Sequence, residues 1–551
     1  MKKIINNSVI LLLLFVTKEG QAQKIHKAYD VVIYGATSAG VMAAVAAKQN
    51  GTSVMLLSPE THIGGLTSNG LGWTDIGNQT HQKTIGGLTL NFFHRIHRYY
   101  QNAKAWNQET LANYREKVTN SIYELTDSLM WTFEPHVAEK VFNNFIRENK
   151  ITMKLNQWLD RQHGVKKENG KIVSITMLNG DTYSGKVFID ATYEGDLMAA
   201  AGVSYTIGRE PNSKYGETIN GIETQLTKGN NLPRGIDPYL QKGNATSGLL
   251  PGINADAGGK DGEGDKKIQA YCYRVCLTDA TLNRVMVAKP ANYKKEDFEL
   301  IIRAAQKGVK TFWKLSPLPN RKTDSNNDGG VSMDYIGMNY DYPEASYLER
   351  KKMDEAHLYW TKGLIWTVQH DPGIPADVQK KYASWGLAKD EFKENEHMPY
   401  KLYVREARRM VSDFVMSESY LKGDKTVPES IAMGNYNMDS HNVQRHVTAE
   451  GDVQNEGDVQ IAVEQPYPIS YKAIIPNVKE CTNLLVPVCL SASHIAYGSI
   501  RMEPVFMMLG QSSGIAASIA VKNRKDVEDI NYTELEKKLL SSGQILSHSQ
   551  K

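Results

Sequence analysis

The N-terminal part of the chain alternates between short apolar runs and a longer periodic stretch. Val31–Tyr34 and Ser53–Leu57 are mostly continuous apolar runs, and Ser38–Gln49 between them is rich in Ala, Val and Met at helical spacing. Continuous apolar runs are typical of strands that are buried on both faces of a parallel sheet. The pattern therefore predicts a strand, a helix and a second, parallel strand.

The next region predicts further elements of the same layer. Val137–Glu148 has the amphipathic spacing of a helix. Three strand-like runs follow it: Ile151–Asp160, Lys171–Leu178 and Thr182–Ile189. Asn179 and Gly180 separate the last two runs, and this pair predicts a hairpin turn.

The pattern changes between residues 201 and 474, where long polar loops separate helical stretches such as Lys295–Lys307 and Glu344–Trp366. An apolar strand and a glycine-bearing helix return at Asn483–Ser491 and Gly498–Gly514. We therefore predict an α/β fold, in which residues 23–200 and 475–551 form one discontinuous Rossmann-like domain. Residues 201–474 would form an inserted α+β substrate or cap domain.

The first residues have the pattern of a secretory signal. Lys2 and Lys3 are followed by the apolar run Val9–Val16 and by small residues before a cleavage position after Ala22. We predict that residues 1–22 are removed and that the mature protein is periplasmic or secreted. The run is shorter than the roughly 20 residues that span a bilayer, and we expect no later transmembrane segment.

Composition narrows the classes of partner. A net charge of +3 over 551 residues gives no electrostatic reason to expect nucleic acid. A hydrophobic content of 41% is ordinary for a globular enzyme. The four cysteines have neither disulfide-scaffold nor zinc spacing, so we expect buried free thiols and no metal site.

The glycine turn after the first strand predicts a dinucleotide site. A helix N-terminus with free N–H groups binds pyrophosphate. Gly35 and Gly40 hold the first and third places of the usual glycine pattern, while Thr37 replaces the middle glycine. The acidic residue expected after the second strand is replaced by Ser58, so either Ser58 or Glu60 could bind the ribose.

A second glycine-rich segment, His62–Gly72, can pass close to a flat ring system through Gly64 and Gly65. Together with the C-terminal strand and helix, it suggests a cofactor held between the two ends of the chain. FAD is the expected cofactor.

These segments in their order resemble the secreted bacterial FAD-dependent oxidoreductases, distant relatives of the glutathione-reductase and fumarate-reductase flavoproteins. The resemblance covers essentially the whole mature chain. It rests on Val32–Gly40, His62–Gly65, Phe188–Asp196, Pro319–Asp324, Asp334–Gly337, Tyr403–Met410, Asp439–His441, Asn483–Val488 and Arg501–Gly510.

The resemblance implies a noncovalently bound FAD and an oxidoreductase reaction. It implies that Asp190 and Ala191 lie near the cofactor, and that the C-terminal segment brings Ser491 and Arg501 towards it. The full set of expected cofactor-binding residues is Gly35, Thr37, Ala39, Gly40, Ser58, Gly64, Gly65, Leu66, Asp190, Ala191, Ser491, Arg501, Gly510 and Gly514. Tyr193 and Glu194 stand where relatives often carry Gly-Asp.

Three residues are candidates for the chemistry. Substrate oxidation needs a base near the reacting carbon, and histidine is the usual one near neutral pH. His441 and His494 are the candidates, with a structural role as the alternative for each. Arg405 and Arg409 are four apart in a predicted helix and could clamp a carboxylate or sulfate, or form salt bridges with nearby acids such as Glu406.

Two further interpretations stay open. Asp324, Asn326 and Asp328 match half of a calcium loop, but Tyr335 takes the place of its bidentate Glu, so a structural or pocket loop is the alternative. The substrate is expected to be a small polar organic molecule, for instance a carbohydrate derivative, and the electron acceptor is unknown. The alternatives are a non-redox polysaccharide-binding or lyase-like protein and, third, an NAD-type dehydrogenase.

Overall fold

The fold is described from a computed structural model, which covers residues 28–78, 82–125, 128–226, 229–255 and 257–548. The predicted signal segment lies outside these residues. The strands are β1 Tyr29–Tyr34, β2 Val54–Leu57, β3 Thr152–Lys154, β4 Val165–Glu168, β5 Lys171–Thr176, β6 Thr182–Asp190, β7 Tyr205–Thr206, β8 Val275–Thr278, β9 Arg284–Val285, β10 Ser316–Leu318, β11 Lys322–Ser325, β12 Gly386–Ala388, β13 Arg409–Met410, β14 Ser430–Gly434, β15 Met438–Ser440, β16 Gln444–Val447, β17 Val453–Glu456, β18 Val459–Ile461, β19 Tyr467–Ser470 and β20 Leu484–Leu485.

The α-helices are α1 Ser38–Gln49, α2 Gly87–Tyr100, α3 Leu111–Val118, α4 Pro135–Glu148, α5 Asp196–Ala200, α6 Glu299–Gln306, α7 Tyr347–His370, α8 Ala376–Tyr382, α9 Glu418–Leu421, α10 His494–Ile500, α11 Glu503–Asn523 and α12 Tyr532–Ser541.

The main sheet has the order β3-β2-β1-β6-β5-β4, and β20 also pairs with β6. β1 is parallel to both β2 and β6, so the predicted strand–helix–strand unit is confirmed. β5 and β6 form the predicted antiparallel hairpin. The predicted strand Ile151–Asp160 is shortened to Thr152–Lys154, because Asn156 has a left-handed φ of 55° that ends the extended backbone.

The C-terminal segment returns to this sheet. β20 pairs in parallel with β6, and α11 packs along α1. The contact is close because a Cβ on Gly510 would lie 2.1 Å from the Ala39 carbonyl oxygen, and one on Gly514 would lie 2.3 Å from that of Ala43. Both glycines are therefore explained by helix packing.

The middle of the chain carries a second sheet, with the antiparallel order β10-β11-β8-β12-β9. This region also contacts α11, since the Ser512 hydroxyl donates to the Ile431 carbonyl oxygen at 2.8 Å. The predicted helix Lys295–Lys307 forms as a 3₁₀ turn followed by α6. The predicted helix Glu344–Trp366 forms as α7, which begins after the Ser346 capping box.

One helix prediction is wrong. Residues 404–408 form no regular secondary structure, and Arg409–Met410 is the strand β13, paired with β7. Burial explains the difference, because Arg405 and Arg409 must each reach separate buried acids instead of sharing a helix face.

By length and composition α11 could cross a membrane, contrary to the expectation that no later segment would qualify. However, 94% of its most apolar window is buried inside the fold, as in the core helix of a globular protein. All four cysteines are buried and free, which confirms the expectation for them.

Candidate cofactor and active site

A cavity of about 320 Å³, here called the strand-end cavity, opens where β1, β2 and β6 end. Its wall is built from residues that directly follow these strands, including Gly35, Ser58 and Thr192. Gly65 and Asn69 of the second glycine segment close another side. Ligands of open α/β sheets bind at the carboxyl ends of the strands, so the topology makes this cavity the candidate dinucleotide site.

Steric contacts explain the glycine pattern of the first turn. Gly35 has φ 103°, and a Cβ there would lie 2.7 Å from the Ala191 carbonyl carbon. A Cβ on Gly40 would lie 1.8 Å from the Gly35 carbonyl oxygen. Thr37, in the middle position, is the N-cap of α1: its hydroxyl donates to the Ala191 carbonyl oxygen at 2.7 Å and accepts from the Gly40 N–H at 3.2 Å.

The buried carboxylate of Glu503, the first residue of α11, connects three segments around this cavity. Glu503 accepts hydrogen bonds of 2.6 Å from the hydroxyls of Ser38, Thr67 and Tyr193. These three residues belong to α1, the second glycine segment and the turn after β6. Burial raises the pKa of Glu503, and the three hydroxyls oppose that rise. The sequence reasoning gave Glu503 no role.

The second glycine segment is held against the same turn. The Gly64 N–H donates to the Ala36 carbonyl oxygen at 2.8 Å, and the Leu66 N–H donates to the Tyr193 hydroxyl at 2.9 Å. A Cβ on Gly65 would lie 2.2 Å from that hydroxyl. The backbone of Gly65 is therefore part of the cavity wall because no side chain fits there.

Asp190 and Ala191 lie behind the strand-end cavity. The fully buried Asp190 carboxylate accepts bonds from the Thr192 N–H at 3.0 Å and the Met198 N–H at 2.8 Å. Burial raises its pKa to about 6. It shapes the turn between β6 and α5, while Ala191 backs Gly35 and Thr37.

A further cavity of about 410 Å³ adjoins the first and shares Glu60 and Lys401 with it. The Lys401 ammonium lies 2.8 Å from Glu60 and 3.0 Å from Glu194. Burial would lower the pKa of Lys401, but these two carboxylates raise it. Ser58 is buried and accepts from the Glu60 N–H at 3.2 Å. Sequence reasoning missed Lys401, because nothing near it in the chain signals a nucleotide site.

The C-terminal residues expected near the cofactor separate into different environments. Ser491 is fully buried and accepts from the Ser412 N–H at 3.3 Å. Gly510 and Gly514 contact α1, and α1 also contains Ala39. Arg501 lines a different cavity.

That cavity, here called the polar cavity, has a volume of about 80 Å³ and is lined by charged and amide side chains. His441 is held at its edge: Nδ1 lies 2.7 Å from one carboxylate oxygen of Asp334, and the Arg405 Nη2 atom lies 2.8 Å from the other. Burial would raise the pKa of Asp334, but the charges of Arg405 and His441 hold it below its usual range. The structure thus joins two of the three candidate catalytic residues through an acid that the sequence reasoning did not assign.

Arg405 is fully buried and pairs with Asp334, so its geometry is that of a salt bridge and not of a surface clamp. Arg409 pairs with Glu406 and Glu210, which confirms the salt-bridge alternative for this segment. Arg501 donates to the Tyr403 hydroxyl at 3.1 Å and to the Asp439 carbonyl oxygen at 3.0 Å, while its buried Nε atom has no hydrogen-bond partner among the described residues.

His494 lies behind the polar cavity. It is 2% exposed, with Nδ1 2.8 Å from Glu406 and Nε2 3.0 Å from the hydroxyl of Ser440, the residue before His441. Burial, reinforced by Arg409 and Arg209, lowers its pKa to about 3. A neutral imidazole in this position supports β15, which carries Ser440.

The half calcium loop does not form as such. Asp324 lies in β11 and is buried in a bidentate ion pair with Arg274, with distances of 2.8 and 2.5 Å. Elsewhere, Glu134, His136 and Glu391 have the spacing of metal ligands. The buried Lys322 ammonium lies 2.7 Å from Glu134 and 2.6 Å from Glu391, and supplies a cation there.

The strand-end cavity fits a dinucleotide cofactor. It combines the N-terminus of α1 with bare glycine backbone at Gly35 and Gly65, where a Cβ would clash. Residues 30–539 match the model of the FAD dependent oxidoreductase family. The chain therefore belongs to this family of flavin enzymes, whose cofactor is FAD.

No curated protein matches the chain significantly. Among solved structures, it is similar to OxyS anhydrotetracycline hydroxylase from Streptomyces rimosus, with 15% identity, 34% of this chain and 36% of that chain covered, and a TM-score of 0.23. It is also similar to L-amino acid deaminase from Proteus vulgaris, with 15% identity, 34% and 53% covered, and a TM-score of 0.23. L-proline dehydrogenase from P. horikoshii is also similar, with 13% identity, 34% of this chain and 59% of that chain covered, and a TM-score of 0.24. The chain thus spans about a third to three fifths of these structures.

Proposed function

We propose that this enzyme oxidises a small polar organic substrate in the polar cavity, with FAD bound in the strand-end cavity. The observation that carries the proposal is the Asp334–His441 pair, in which a buried carboxylate fixes one imidazole nitrogen at the edge of a polar cavity. Bound FAD supplies the electron-accepting chemistry. The protein's own residues bind and orient the substrate and take up its proton.

His441 is the proposed base. Because Asp334 engages Nδ1, Nε2 is the nitrogen that remains to accept a proton from a substrate hydroxyl. Asp334 stabilises the imidazolium that forms. Arg405 is a positioning residue, since it holds the second oxygen of Asp334. His494 supports this arrangement indirectly, because its Nε2 atom bonds the hydroxyl of Ser440, the residue before His441.

Unpaired buried atoms indicate the substrate class. The Arg501 Nε atom is a donor without a partner, and the Asn327 Oδ1 atom is an acceptor without one, among the described residues that line the polar cavity. Leaving buried polar groups unpaired costs about 1–3 kcal/mol each. A ligand that carries both acceptor and donor groups would complement these two atoms, and hydroxyl groups supply both. We propose a carbohydrate derivative as the first class to test.

The test begins with the visible spectrum of the purified protein. A flavin band that acid releases into the supernatant as FAD is expected, and anaerobic bleaching of that band then identifies substrates among sugars and hydroxy acids. His441→Gln should lower the rate of bleaching by about 100-fold or more. A substrate that bleaches the flavin equally fast in His441→Gln would contradict the assignment of the base. Sugar binding with no flavin reduction would favour the non-redox alternative instead.

We also propose the discontinuous organisation, in which residues 23–200 and 475–551 form the FAD-binding domain and 201–474 the substrate domain. The pairing of β20 with β6 supports it. We further propose export with cleavage after Ala22. The intact mass of the protein recovered from the periplasm or medium tests this, and a mature chain that begins elsewhere would contradict it.

A further inference from the structure

A third cavity, here called the aromatic cavity, lies beside the strand-end cavity and has a volume of about 430 Å³. His62, Glu394 and Tyr400 line both. The rings of His62 and Tyr400 stack with centroids 3.5 Å apart and an interplanar angle of 6°. A stacked pair of rings therefore forms the common wall of the two cavities.

Rings line the aromatic cavity together with charged and amide side chains such as Lys104, Glu134 and Asn320. Tyr99, His136 and Phe392 line it together with the stacked pair. Phe392 meets Tyr400 edge-on, with centroids 5.2 Å apart and an interplanar angle of 85°. Flat and edge-on ring faces in one cavity suit a planar, conjugated ligand. The polar cavity, where we place the substrate, is lined by different rings, those of Tyr403, Tyr436 and His441.

The two histidines are oriented in the same way. Nδ1 of His62 lies 3.0 Å from Glu139, and Nδ1 of His136 lies 2.6 Å from Glu391. Glu391 is itself fixed by the buried Lys322 ammonium at 2.6 Å. Within the part of the chain that the structure describes, Nε2 of neither ring has a hydrogen-bond partner, so this atom can contact a ligand. Burial lowers the pKa of His136, but the Glu391 carboxylate outweighs burial and raises it.

We propose that the aromatic cavity binds a quinone, and that this quinone is the electron acceptor of the enzyme. The proposal rests on the proposed flavin function. Overall, the substrate loses two electrons and two protons, and the quinone gains two of each and leaves as the hydroquinone. The electrons reach the quinone from the reduced cofactor. His136 and His62 donate protons at Nε2 to the quinone oxygens and recover them from the substrate's proton and from solvent.

The test uses the holoenzyme and needs no substrate. The bound flavin is photoreduced anaerobically and mixed with ubiquinone-1 or, separately, with ferricyanide, which takes up electrons without protons. Flavin absorbance reports reoxidation, and calorimetry of the oxidised holoenzyme with ubiquinone-1 reports binding. The variants are His136→Gln and Phe392→Leu, and the control is His163→Gln, an exposed histidine outside the cavity. The flavin spectrum of each variant verifies folding.

We expect saturable reoxidation by ubiquinone-1. His136→Gln should slow it at least 10-fold, and Phe392→Leu should weaken binding at least fivefold. Ferricyanide reoxidation and His163→Gln should remain within twofold of the wild type. The proposal is overturned if ubiquinone-1 does not reoxidise the flavin, if it does so without saturation, or if His136→Gln slows both acceptors equally. A protein that binds no flavin would instead refute the proposed function before the quinone is added.

Discussion

Glu503 should couple FAD binding to the position of α11, and replacing Glu503 tests this directly. Its carboxylate is 3% exposed and accepts three hydroxyl hydrogen bonds of 2.6 Å. Hydrogen bonds to a charged group contribute roughly 1.5–3 kcal/mol each, but such terms are not additive. Leaving a buried hydroxyl without its partner costs about 1–3 kcal/mol. We therefore expect Glu503→Ala to lower the free energy of unfolding by about 3–5 kcal/mol, and Glu503→Gln by less.

The same change should weaken FAD binding, because Ser38, Thr67 and Tyr193 belong to three segments that form or support the wall of the strand-end cavity. If about half of the lost free energy falls on these segments, the Kd for FAD rises roughly 10- to 100-fold. Flavin fluorescence titration of the apoprotein measures the Kd, and urea unfolding measures stability. The matched control is Ser513→Ala, another buried polar residue of α11, whose hydroxyl donates within the helix to the Leu509 carbonyl oxygen.

Coupling of FAD binding to Glu503 would be refuted if Glu503→Gln and Glu503→Ala lost stability but kept a Kd for FAD within twofold of the wild type. A double-mutant cycle with Tyr193→Phe adds a second criterion. Residues in direct contact couple by 0.5 kcal/mol or more, whereas additive effects within about 0.3 kcal/mol would show that the hydrogen bond contributes nothing of its own.

Two further predictions concern stability. Gly510→Ala should lower the free energy of unfolding, measured in urea, by about 1–3 kcal/mol, because the new Cβ meets the Ala39 carbonyl oxygen. Gly229→Ala is the control, because a Cβ there has open space and should change stability little. Equal losses in the two variants would contradict the packing of Gly510 against α1. Asp196 is buried among three arginines, which overcome the effect of burial and lower its pKa from 3.8 to about 2. Its contribution is therefore present above pH 4 and lost as the pH falls towards 2. The shift corresponds to roughly 2.5 kcal/mol, so Asp196→Asn should lose about that much stability at pH 7 and approach the wild type in acid. A difference that is independent of pH would refute this.

The local sequence pattern was sufficient to predict the strand–helix–strand unit and the glycine turn after its first strand. A buried parallel strand needs a continuous apolar run, and a tight strand-to-helix turn needs glycine where φ is positive or a Cβ would clash, as at Gly35 and Gly40. The hairpin at Asn179 and Gly180 was predicted for the same reason, because the turn depends on adjacent residues alone.

The segment around Arg405 shows where local pattern failed. Its spacing of basic residues favours a helix, yet Arg405 and Arg409 pair with buried acids from distant parts of the chain, and residues 404–408 form no helix. The sequence identified the charged residues, but it could not show which acid each arginine would pair with.

By itself, the sequence determined the class of fold and the glycine turn after the first strand, because each depends on residues close together in the chain. Only the tertiary structure decided that Asp334 orients His441, that Glu503 bonds Ser38, and that Lys401 reaches Glu60. These contacts join residues from 107 to 465 positions apart. Buried charges and hydrogen-bond donors need partners, and which partners they obtain depends on how the whole chain packs.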